Sequence, residues 1–63
     1  MGTELIGAVL AVITLDPGLV TGGAPIFIAH SREEQERMAL VLSRILKGMV
    51  HDLENGVLII VKH

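Results

Sequence analysis

The chain has 63 residues, 51% of them hydrophobic, with five Lys and Arg against seven Asp and Glu for a formal charge of −2. A chain of this length makes one domain, residues 1–63, and hides only about 60% of the surface of its extended form, so burial and ordering entropy nearly cancel. The lack of cysteine excludes disulfide staples and thiolate zinc sites, and the scarcity of bases argues against nucleic acid as a ligand.

A mean hydropathy of +0.64 is more apolar material than so small a chain encloses. The first apolar run, Leu5 to Leu15, is broken only by Gly7 and Thr14 and reaches about half the ~20 residues of a membrane-spanning helix. Met1 to Glu4 carries an acid and no base, unlike a secretory leader, so a cytoplasmic chain with no membrane span is expected. Residues 5–14 lack period-two alternation and are rich in Val and Ile, as in a strand covered on both faces; a buried helix is the competing reading. Asp16-Pro17-Gly18 then suits a type II reversal, with Pro second and Gly third.

Leu19 and Val20 lead into Thr21-Gly22-Gly23, and Ala24 to Ala29 reads as a second short strand that Pro25 places at an edge or a strand start. Ser31-Arg32-Glu33-Glu34 has the form of a capping box, in which Ser31 serves the Glu34 amide and Glu34 reaches back. Acids in the first turns suit the helix dipole. The apolar positions Met38, Val41, Leu42, Ile45, Leu46, Met49, Val50 and Leu53 fall on one stripe. Leu40 is the large apolar residue on the other side, and Glu33 and Arg37 stand at pairing distance. Gly48 offers an early end, but the stripe runs past it. Asn55-Gly56 supplies a left-handed stop, so the spacing predicts a helix from Ser31 to near Glu54. Val57 to Val61 reads as a last strand with both faces covered.

Strand, strand, helix, strand predicts an α+β domain, a β-β-α-β unit with a three-stranded sheet and one long helix on one face. No second helix exists for the opposite face, although the strands are apolar on both sides. Association is expected to complete the fold, most simply as a homodimer, through Leu5, Val9, Ile13, Ile26, Ile28, Leu58 and Ile60.

Gly22 and Gly23 lie upstream of the capped helix, and with His30 they are the candidate phosphate or small-ligand residues. Neither common phosphate-loop spacing occurs and the first helical turn is acidic, which favours a plain turn. His30, His51 and His63 have no metal-ligand spacing. His51-Asp52 would orient an imidazole, yet a late-helix histidine suits the dipole alone. Asp16 has no carboxylate partner at a useful spacing and is itself a turn former. Ser31 is committed to the cap. No catalytic, metal or cofactor set emerges, so a non-enzymatic protein-binding or scaffold module is expected. A nucleotide or small-ligand domain with its site at a subunit interface is the alternative, and an enzyme using His51 or Asp16 comes third.

The stretch Ala11-Val12-Ile13-Thr14-Leu15-Asp16-Pro17-Gly18-Leu19-Val20 resembles the first strand and D-x-G turn of the roadblock/LC7 family. The resemblance continues through Ala24 to Ala29, the helix from Ser31 and the strand after Gly56. That family's preceding helix, two further strands and closing helix have no counterpart in these residues. The resemblance implies a dimeric, non-enzymatic adaptor that regulates small GTPases or scaffolds larger complexes. The Asp16-Pro17-Gly18 turn also resembles the start of RuvC-like nucleases, whose further acidic ligands are not evident here.

Overall fold

Val and Ile from Val9 onward form a strand, not a buried helix, in the computed structural model, which describes residues 9–20 and 22–62. Strand β1 spans Val9–Thr14, β2 Ile26–Ile28, helix α1 Arg32–Leu46, β3 Gly48–Asp52 and β4 Val57–Lys62. Residues 5–8 of the expected first strand, Leu5 among them, and His63 lie outside the described residues.

β1 ends in a polar knot. The Thr14 hydroxyl donates to Asp16 O at 2.9 Å and accepts from Asp16 N, while Asp16 Oδ1 accepts from Gly18 N at 2.9 Å. Pro17, with its fixed φ, opens a single 3₁₀ turn over Pro17–Leu19. The expected type II turn is therefore corrected: it requires a positive φ at Gly18, which that residue does not adopt. The chain then returns to lay β2 parallel to β1, with Val12 opposite Ile26 and Thr14 opposite Ile28. β2 is shorter than the expected Ala24 to Ala29, although Pro25 O and Ala29 N still bond to β1, each at 2.9 Å.

α1 begins where its cap predicts. Ser31 Oγ accepts from Glu34 N at 3.1 Å. Glu34, however, reaches past Ser31 to the His30 N–H at 2.7 Å. The helix ion pair at i, i+4 is Arg32–Glu36 at 3.0 Å, one residue out of step with the expected Glu33–Arg37.

The helix ends at Leu46, not near Glu54, because Lys47 takes a left-handed conformation and its N–H closes onto Ser43 O. Gly48 then makes the tight entry into β3. A Cβ there would stand 2.7 Å from both Ile60 Cγ2 and Val61 O. Met49, Val50 and Leu53 thus belong to a β-hairpin, and the sheet has four strands, not three. Their helix-compatible spacing has a simple origin: a short apolar run fits either period, and the tertiary contact at Gly48 decides. Glu54 and Gly56, both at positive φ, turn the hairpin.

The sheet order is β2-β1-β4-β3, with β1 and β4 antiparallel in the middle. The two non-alternating runs are thus the two central strands. α1 covers one face, enclosing Ala11, Ile13, Ala29, Ala39, Leu58 and Ile60, with Leu10, Phe27, Met38 and Leu42 packed around them. Ile13 and Ile60 are fully buried, each worth about 1.5–3 kcal/mol by transfer. The inward side of α1 is narrower than the predicted stripe. Gln35 and Ala39 are its buried residues, whereas Val41 and Ile45 face outward, 49% and 67% exposed.

Candidate binding surface

Side chains opposite one another in paired strands share a face, so the register assigns the positions of the sheet apart from Leu10, which falls at a register shift between Val9 and Ala11. Ala11, Ile13, Phe27, Leu58 and Ile60 point under α1. On the reverse face Val12 stands between Ile26 and Ile59, Thr14 between Ile28 and Val57, Val61 between Val9 and Met49, and His51 beside Ile59. This face carries Ile, Val and Met on all four strands. Its polar members are Thr14, fully buried and tied to Asp16, and His51, which is exposed.

Ile26, Ile28 and Met49 are 38%, 47% and 49% exposed, and Val9, Ile59 and Val61 are half-buried. α1 lies on the other face, and at the centre of this one Val12, Thr14 and Val57 are buried, with the exposed positions around them. Exposed apolar positions clustered on one face mark contact sites. Of the residues expected to meet a partner, Val9, Ile26 and Ile28 lie here. Ile13, Leu58 and Ile60 are enclosed by the chain's own helix.

The opposite side of the molecule carries the polar chemistry. Gln35, fully buried, donates through Nε2 to Ile13 O at 2.9 Å and Gly56 O at 2.8 Å, and accepts from Arg32 Nη1 at 3.1 Å. Arg32 also donates to Asp52 Oδ2 at 2.8 Å. That bond, helped by the Glu54 N–H on Asp52 Oδ1, holds the Asp52 carboxyl below its ordinary pKa. The His30 main-chain N–H, and then its ring, likewise lower Glu34. The Arg32–Asp52 and Gln35–Gly56 bonds brace α1 against the β3–β4 hairpin, whereas the His30–Glu34 contact stays within the helix start. Gln35 carries no signal of this role in the sequence, because a glutamine one turn into a helix ordinarily faces water.

The remaining candidates do not converge. Gly22 and Gly23 precede β2 and His30 follows it, so the strand separates them. His30 is 87% exposed at its side chain. His51 faces the apolar side and Asp16 caps its own turn. Among the described residues no three His, Asp or Glu side chains gather as a metal site, and no helix is long and apolar enough to cross a membrane.

No solved structure matches the chain. A Bacillus subtilis (strain 168) protein called uncharacterized protein YpzH is 40% identical over 63 residues, spanning 100% of this chain and 98% of its own. A family model described as capping complex subunit for YIEGIA matches residues 6–63. This corrects the resemblance to the roadblock/LC7 family, which rested on one strand, a D-x-G turn and the element order, features that unrelated small α+β chains share. With nearly its whole length matched, the chain belongs to the family of capping complex subunits for YIEGIA.

Proposed function

We propose that this chain is a non-enzymatic subunit that acts by contact, laying the open face of its sheet against the YIEGIA protein of its family's description. The observation that carries the reading is the apolar face itself: Ile26 and Ile28 of β2, Val9 of β1, Ile59 and Val61 of β4 and Met49 of β3 share one face, and among the described residues of that face His51 is the exposed polar one. Burying it in a partner supplies what the chain's own helix does not, since hydrophobic area removed from water is worth ~25 cal/mol/Å². The subunit works in the cytoplasm and as a homodimer, the commonest symmetric assembly.

Co-purification with YIEGIA tests the contact. The wild-type chain is expected to co-elute with it, and Ile28→Asp or Met49→Lys to abolish co-elution while leaving the helical circular dichroism signal intact. Retention by both variants, with loss on Val41→Asp at the outer side of α1, would overturn the reading.

A further inference from the structure

The two edges of the sheet are built differently. β2 is three residues long and follows Pro25, both of which blunt an edge. β3 runs five residues, Gly48–Asp52, with no Pro or Lys and an unbroken register to β4, and no strand lies beyond it among the described residues. The Leu53 N–H donates to Val57 O at 3.0 Å, which makes that pair a hydrogen-bonded one. Such pairs alternate along an antiparallel ladder. The main-chain N–H and C=O of Gly48, Val50 and Asp52 therefore point outward, away from β4.

We propose that this edge pairs with β3 of a second copy of the chain, antiparallel, about a twofold axis at Val50. The inference rests on the homodimer named above and assigns its surface. With Val50 opposite Val50, Gly48 falls opposite Asp52, so all the outward groups of both strands find partners in one register. The charges fit the same operation. Lys47 stands just before β3, and Asp52 and Glu54 stand at its far end, so antiparallel pairing sets each base beside the other copy's acids, whereas parallel pairing sets like beside like.

The helix repeats the pattern. Glu36 and Leu40 line a groove with Val50 and Asp52, and Arg44 is one turn further along the same row. Leu40 is 51% exposed and Val50 40%. Acid, leucine, base along one row is self-complementary only when two copies run antiparallel: Leu40 meets Leu40 and Glu36 meets Arg44. This gives the exposed half of Leu40 an apolar partner. The product is one continuous eight-stranded sheet, four strands from each copy, with both helices on one side and the two open faces joined where Met49 of each copy meets His51 of the other.

Sedimentation equilibrium of the full chain, with no other protein present, decides it. The wild type is expected to dimerise in the micromolar range. Leu40→Lys, on an exposed helix position, should raise the dissociation constant about tenfold or more. Arg44→Glu should do likewise, and Arg44→Lys should restore pairing. Val50→Pro removes an outward donor and should also dissociate the dimer; if it does not fold, Leu40→Lys still gives the answer. A chain that stays monomeric throughout would sink the homodimer itself. A dimer indifferent to Leu40→Lys and Arg44→Glu but dissolved by Ile28→Lys would sink only the edge assignment. Neither result bears on the contact of the open face with YIEGIA, which is read separately.

Discussion

The side-chain amide of Gln35 donates to the main-chain oxygen of Ile13 at 2.9 Å inside the core, and the same nitrogen reaches Gly56 O at 2.8 Å. One residue of α1 thus satisfies carbonyls at the end of β1 and the start of β4, the two central strands. Gln35→Leu fills similar space but removes both bonds, leaving Gly56 O with the longer bond from Leu15 N at 3.3 Å, at a cost of about 1–3 kcal/mol. Gln35→Glu should cost more at neutral pH, since a carboxylate can only accept, and should recover partly on acidification as the acid regains a proton to donate. Urea midpoints at two pH values check this; an unchanged midpoint for both variants would remove Gln35 from its bracing role.

Gly48 carries a second constraint. Alanine there puts its Cβ 2.7 Å from Ile60 Cγ2 and from Val61 O, and the carbonyl cannot step aside without disturbing the β3–β4 ladder. Gly48→Ala should destabilise by about 1–3 kcal/mol, the usual cost of overpacking. Gly23→Ala is the control. Nothing lies within 4 Å of its added methyl, and its effect should stay within about 0.5 kcal/mol. Equal losses in the two would show that the close approach at Gly48 is relieved elsewhere.

Acid should loosen the helix from the hairpin. Arg32 holds Asp52 below the ordinary carboxylate range and the His30 N–H does the same for Glu34. A depressed folded pKa gives stability that is full above the unfolded value and is lost as pH falls through the folded one. Stability should therefore decline below the ordinary carboxylate range, near pH 4. Asp52→Asn should be less stable than the wild type at neutral pH and show a flatter decline, measured by urea unfolding across the acid range. Because both groups lie at the surface, the effect should shrink in high salt. An acid profile identical in Asp52→Asn and wild type would contradict the assignment.

What could be read from the sequence was what local chemistry controls. Ser31 and Glu34 announced the helix start, and the non-alternating runs at residues 5–14 and 57–61 announced strands; that β1, from Val9 on, and β4 are the central pair was not legible, because strand order is set by tertiary pairing. The helix end was hidden because its signal is tertiary. Lys47, not a glycine, takes the left-handed turn, and Gly48 is required by its distance from Ile60, 12 positions along the chain. Missing that end removed a strand from the sheet and turned Val41 and Ile45 inward. The excess apolar surface was legible from composition. Its location was not, because the face on which Ile28 or Ile60 lies depends on strand register.

The contact of the open face with a partner is tested most directly by site-specific photo-crosslinking in cells that make both this chain and YIEGIA. A photoreactive benzoylphenylalanine in place of Ile28, on the open face, is expected to give a covalent adduct with YIEGIA, and one in place of Ile45, on the outer side of α1, to give none. An adduct from position 45 with none from position 28 would contradict the account.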